Sequence, residues 1–385
     1  MSDPPTRGWQ ARWLRVALSL TVVVVIFGFV FPNVADYGEV WQTIRDMTRI
    51  EIAALTLVAL WNIASYWPAL MAALPGLRLG EAATSNLAST AAANTLPGGA
   101  ALGIGATATM QHSWGIPLSS IALASVVSGI WNNFLKLGLP VLALAVVAVT
   151  GEVGAGPALA AFVGLAVLAA AVGLFAILLR SERLARRIGE LTGRAAGAVV
   201  RPLHRGPVRG WDTAATSFRT KTVGLLKRRW LAITATTVLS HLSLYTVLLV
   251  ALRDVGVSDD EVSWTKVLAA FAFVRLLSAI PITPGGLGVV ELGLTAALGA
   301  GLPDTTRNQV AAAVLLFRSL TWFLPIPLGV GAWLLWRTNT TWRRTVDERD
   351  QTTPDIAHPP GPTSPGRAGL VAAPGSGWVG GRGSH

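Results

Sequence analysis

Apolar runs alternate with short polar segments along most of this chain. A spanning helix takes about 20 consecutive apolar residues, and runs of that kind fall near 14–31, 51–74, 118–149, 157–180, 231–252 and 305–337. Two further apolar stretches, 80–114 and 264–301, are each cut in the middle, at Pro97-Gly98-Gly99 and at Pro284-Gly285-Gly286. The pattern predicts an all-α polytopic membrane protein with about six full spans and two Pro-Gly-Gly-broken hairpins within residues 1–337. Gly138 and Pro140 predict a kink in the 118–149 span. Residues 338–385, rich in Pro, Gly, Ser, Thr and Arg, read as a disordered tail.

Unpaired backbone groups in lipid cost several kcal/mol each, so irregular backbone persists there only beside protein or a wet cavity. The two breaks are therefore where chemistry is expected. In the second, Thr283 is placed to cap a new helix with Pro284 at its first position. Gly285, Gly286 and Gly288 would then leave the first-turn N–H groups open, and a helix N-terminus attracts anions. A break that only permits tight packing is the plainer reading of the same residues.

Arg275 and Glu291 flank Pro284 at roughly 13 and 10 Å along a helix, so two arms would carry them to similar depth. They predict an ion pair, acting either as a latch for the hairpin or as part of a substrate cavity. Arg318 in the next span is a third candidate for that cavity. The first break, Asn94-Thr95-Leu96-Pro97-Gly98-Gly99, has no matching acid: Ile104 stands where Glu291 does. Its polar residues are Asn86, Asn94, Thr95 and Thr107. Lys136, after Trp131-Asn132-Asn133-Phe134, reads as part of a polar path, or as a snorkelling cation beside helix-bridging amides. His112 and His241 read as interfacial.

Composition narrows the class. The chain is 52% hydrophobic and 13% charged, against about 25% charged in soluble domains. It has no cysteine, and its five histidines are scattered, so no disulfide, metal site or cofactor is expected. No phosphate-binding GxxxxGK[ST] run is present, which points away from nucleotide-driven transport.

The net charge of +11 would suit nucleic acid, but its placement argues against that partner. Thirteen Lys and Arg face three acids between Arg180 and Arg229, the asymmetry of a cytoplasmic loop touching anionic lipid. Leu184, Ile188, Leu191, Ala195 and Val199 recur at helical spacing there and predict an interfacial helix, with Trp211 and Trp230 as anchors. Arg7, Arg12 and Arg15 precede a first span that reads as retained, without a cleavage site.

Charge orients the spans with both termini and the 180–230 loop cytoplasmic, and the 32–50 and 253–261 loops outside. The first broken segment then enters from the cytoplasm and the second from outside, which predicts an inverted repeat with halves 51–149 and 231–337. Abundant Ala, Gly and Arg with few Lys fits a bacterial plasma-membrane protein.

The run Pro281-Ile282-Thr283-Pro284-Gly285-Gly286-Leu287-Gly288-Val289-Val290-Glu291, with Arg275 upstream and Arg318 in the next span, resembles the lysylphosphatidylglycerol synthase transmembrane-region family. The resemblance covers about residues 10–340 and implies a flippase-like protein handling a lipid or a polyprenyl-linked sugar. Asn94-Thr95-Leu96-Pro97-Gly98-Gly99 and the glycines after it look like a glycine-rich variant of the family's earlier, more polar motif. That departure leaves the head-group preference of relatives open. No soluble aminoacyl-transfer domain is recognisable after the last span, so synthase activity is not implied.

The expectation is passive or ion-coupled movement of an anionic lipid or lipid-linked sugar between leaflets. The residues expected to carry it are Arg275, Thr283, Pro284, Gly285, Gly286, Gly288, Glu291, Arg318, Asn94, Pro97, Gly98 and Gly99. The alternatives are an accessory factor or enzyme in polyprenyl-phosphate-linked glycan assembly, or a non-catalytic partner of an envelope-biosynthesis enzyme.

Overall fold

A computed structural model of the protein describes residues 36–95, 99–149, 155–183, 187, 211–278 and 284–352. In order, the helices are α1 (Tyr37–Arg45), α2 (Arg49–Ala73), α3 (Leu79–Thr95), α4 (Gly99–Ser113), α5 (Leu118–Val149), α6 (Ala155–Arg180) and α7 (Trp211–Asp254). They continue with α8 (Trp264–Leu277), α9 (Val289–Gly299), α10 (Asp304–Arg318), a π-helical turn (Ser319–Phe323), α11 (Pro325–Thr338) and α12 (Val346–Thr352). No strand is formed among the described residues; Trp114 and Arg344 make one isolated bridge. Among the described residues, five helical stretches are long and apolar enough to cross a membrane. The protein is an all-α, multi-pass membrane protein, as the apolar pattern predicted.

The predicted spans 51–74, 118–149 and 157–180 correspond to α2, α5 and α6, and α5 runs through both Gly138 and Pro140. The predicted 231–252 span is the second half of a 44-residue helix, about 66 Å long and twice the ~30 Å hydrocarbon core. Its first turns are tied to the end of α6, where Arg219 donates to the Leu179 and Arg180 carbonyls at 2.8 and 3.2 Å. The predicted 305–337 span is interrupted: α10 passes through the π turn into α11, with Leu324 N–H donating to Ser319 O at 2.8 Å. Pro325 explains the turn, because its ring would collide with a regular helix carbonyl and it has no N–H to give. The 14–31 span lies outside the described residues, as does the 184–199 interfacial helix apart from Arg187.

The broken segments form two helix pairs, α3–α4 and α8–α9. Their arms have 17, 15, 14 and 11 residues, or ~25 to ~17 Å. All four are shorter than the hydrocarbon thickness.

The pairs open on opposite faces. Helix α2 starts beside α1 and ends where α3 begins. On the α1 face, Asp36 N–H donates to Asn308 Oδ1 at 2.9 Å, Asn308 bonds to Glu39, and Thr306 donates to Glu261 at 3.0 Å. These contacts join α1 to the first turns of α10, and α10 to the loop before α8. On the other face, the α3–α4 ends meet the chain after α11. Packing crosses between them: α3 lies against α11, α8 against α5, and α2 against α7. The α2–α7 seam is polar and close, with Asn62 Nδ2 2.9 Å and Ser65 Oγ 2.8 Å from Ser243 Oγ, the small-residue contact that brings membrane helices together.

The chain after α11 corrects one expectation. Residues 339–352, assigned to a disordered tail, fold back as a strap over the α3–α4 mouth. Arg344 N–H donates to Ser113 O at 3.1 Å, and the Trp342 ring meets Trp114 edge-on at 6.0 Å. Arg349 then reaches Glu81 at 2.9 Å, Trp114 O at 2.7 Å and Gly76 O at 2.6 Å. Low apolar content hid this segment: it is held by two aromatic rings and one buried ion pair rather than by an apolar run. Residues 353–385 lie outside the described residues.

Candidate functional site

The two breaks meet. Asn94, at the tip of the first hairpin, donates to the Trp322 carbonyl in the π turn at 2.9 Å. It also lies beside Gly285, at the tip of the second hairpin. Gly285 has φ +62°, a left-handed conformation that side chains rarely adopt. An added Cβ there would strike the Trp322 indole. Gly99 opens α4 so close to the preceding arm that a Cβ would collide with the Ala93 carbonyl. Both glycines are therefore required by close approach.

Helix α9 does not begin at Pro284. Pro284–Gly286 forms a separate 3-10 turn, and the helix starts at Val289 with Gly288 as its cap, at φ +82°. Gly288 N–H donates to Glu291 Oε2 at 2.6 Å. The positive end of α9 is thus satisfied by a carboxylate from its own first turn, and the open anion site expected there is filled from within. Thr283, Pro97 and Gly98, expected in the site, lie outside the described residues. Gly286, at φ +69°, completes the turn.

Glu291 pairs with Arg318 rather than with Arg275. Arg318 Nε donates to Glu291 Oε1 at 2.7 Å and its Nη2 donates to Gly285 O at 3.0 Å. Its guanidinium lies 5.7 Å from the Trp322 ring centre, within cation–π range. Glu291 is buried, with 1% of its side chain exposed. Every oxygen of this carboxylate is committed, one to a helix N-terminus and one to a cation.

Arg275 lies near enough to Arg318 and Lys136 to feel their charge. Its Nε is buried without a hydrogen-bond partner among the described residues. His241, expected at an interface, is instead buried in the bundle with 1% exposure. Its position at the middle of the predicted 231–252 span was the available signal. Among the described residues no group of three or more His, Asp or Glu could hold a metal. His112 sits at the α3–α4 mouth, with Nδ1 3.1 Å from Ile116 O.

Broken hairpins packed tip to tip around a charged pair lie inside a bundle of apolar helices, the arrangement of a multi-pass membrane protein. The family of the lysylphosphatidylglycerol synthase TM region matches residues 13–329, and the chain belongs to that family. A search of the curated proteins finds no match.

Proposed function

We propose that this protein translocates an anionic lipid or a lipid-linked sugar between the leaflets of a bacterial plasma membrane. The observation that carries the reading is the meeting of two oppositely opening hairpins at Asn94, Gly285 and Trp322. Irregular backbone at such a place normally lines a binding cavity. The crossed packing supports an inverted repeat with halves 51–149 and 231–337, since exchanging them maps the α3–α11 contact onto the α8–α5 contact. The family's description names a lipid-synthesising protein, which favours a lipid head group as cargo. The strongly basic segment 180–230 supports a cytoplasmic strap face and cytoplasmic termini. On that face a groove of about 410 Å³ between α6 and α7 is lined by Leu179, Val223 and Leu226 with Arg180, Arg219 and Lys227, suited to an anionic lipid of the inner leaflet.

The test is flipping of fluorescent lipids in liposomes holding the purified protein, without ATP. Faster flipping of anionic than zwitterionic lipids is expected. Background rates for both kinds would remove the translocation reading and favour an accessory role in envelope assembly. Topology is checked by labelling cysteines introduced after residues 210 and 257; labelling at 210 from outside intact cells would overturn the orientation.

A further inference from the structure

Lys136, His241 and Arg275 stand on three helices at one depth. Measured from the α1-face ends of their helices, Lys136 lies ~20 Å from Val149, His241 ~20 Å from Asp254 and Arg275 ~17 Å from Trp264. Helix α8 packs against both α5 and α7. Leu135 and Leu139, Leu244 and Leu248, and Phe271 and Val274 share one apolar cluster around them. His241 feels the charge of both Arg275 and Lys136.

Charge does not balance here. Glu291 is bound to Arg318, and the other described acids sit at helix ends or in loops, so Lys136 and Arg275 have no carboxylate partner among the described residues. Uncompensated cations at this depth are costly and mark an ion or substrate path.

Hydrogen bonding is also unfinished. Arg275 Nε, His241 Nε2 and Asn132 Oδ1 are buried without a partner among the described residues. His241 Nδ1 lies 3.0 Å from the Thr237 carbonyl, which assigns the ring proton to Nδ1 and leaves Nε2 an acceptor. Asn132 lies one turn before Lys136 on the same face of α5. Two unpaired cations therefore sit with two unpaired acceptors. A bare phosphate would satisfy only the former; hydroxyl donors are needed for the latter.

We propose that Arg275, Lys136, His241 and Asn132 form a binding site for a sugar phosphate carried on a lipid. The cations hold the phosphate, and the imidazole and amide accept from sugar hydroxyls. Arg318 and Glu291 satisfy one another and are not ligands in this site, and the inference rests on the translocation reading for its cargo.

The test is equilibrium binding to the full chain in phosphatidylcholine nanodiscs, using farnesyl phosphate, farnesyl phosphoglucose and uncharged farnesyl glucoside. Farnesyl phosphoglucose should bind tightest and the glucoside weakest. Lys136→Gln and Arg275→Gln should each weaken both phosphates about tenfold or more, the scale of a charged hydrogen bond. Asn132→Ala and His241→Ala should bring farnesyl phosphoglucose down to the level of farnesyl phosphate and leave the latter unchanged. Neither Gln variant should unfold at lower temperature, because each removes a charge that has no acidic partner. Lys136→Arg should retain phosphate binding.

Equal binding of the three probes, or unchanged phosphate binding in both Gln variants, would overturn the site. So would a fall in unfolding temperature in both, which would make the cations structural. Binding without flipping would overturn the translocation reading and keep the site. Flipping with variant-insensitive binding would do the reverse.

Discussion

Each broken hairpin is fastened by a buried Arg–Glu pair, but at opposite ends. In α3–α4 the pair is Glu81–Arg349, at the mouth, where the strap supplies the arginine. In α8–α9 it is Glu291–Arg318, at the tip, deep in the bundle. The first tip offers a neutral amide, Asn94, and the second offers the charges. The two hairpins thus share an outline and divide the labour: one is pinned from outside and contributes a wall, and the other brings the electrostatics to the meeting point.

Breaking the tip pair should cost most. Glu291→Gln leaves Arg318 buried without its carboxylate and strips the cap from α9, and Arg318→Ala leaves Glu291 unpaired. Loss of one partner of a buried pair costs about 3–5 kcal/mol, so both variants should show a large drop in thermal unfolding temperature in nanodiscs. Wild-type stability in either would end the latch interpretation of this pair.

Breaking the mouth pair should cost less, because it lies at the end of the bundle, where Glu81 can regain water once the strap lifts. Arg349→Ala is expected to lose about 2–3 kcal/mol and to free residues 339–352 for proteolysis, with the tip contacts intact. Persistent protection of those residues would show that Trp342 and Arg344 suffice to hold the strap.

The contact between the hairpins and α11 has an internal control. A Cβ on Gly329 would collide with the Leu87 carbonyl of α3, whereas Gly331 has open space around it. Gly329→Ala should destabilise by about 1–3 kcal/mol through overpacking. Gly331→Ala should be neutral or gain up to about 1 kcal/mol from helix propensity. Equal unfolding temperatures would refute the α3–α11 seam.

The smallest effects belong to exposed carboxylates on the two faces. Hydrogen bonds from Ser258 N–H and hydroxyl, and from Thr306, hold the Glu261 carboxyl below its ordinary value. Thr345 does the same for Glu348 in the strap. A carboxyl whose folded pKa is depressed contributes stability above its ordinary pKa of about 4.3, and that stability is lost as pH falls through the folded value. Unfolding temperature should therefore dip slightly in acid, with the Glu261 share reduced in Ser258→Ala, which keeps the backbone N–H and loses the hydroxyl. An unchanged acid dip in that variant would assign it to other groups.

The apolar runs of 51–74, 118–149 and 157–180 appear as helices because burial in lipid is a property of the run itself. The Pro-Gly-Gly breaks were legible for the same local reason, since neither proline nor left-handed glycine continues a helix. Arg275, Glu291 and Arg318 were identifiable as costly intramembrane charges. Which arginine Glu291 joins was not. A carboxylate and two guanidiniums at similar depth satisfy one another equally well on paper, and only the π turn before Pro325, aiming Arg318 at the start of α9, decides it. The helix start shifted likewise, from Pro284 to Val289, because the Glu291 carboxylate caps Gly288. The strap was hidden because its hold on the bundle lies in distant partners, Glu81, Ser113 and Trp114, that no local pattern reveals. Hydropathy sets what a segment does against lipid, while pairing among buried polar groups is settled by which helices pack together.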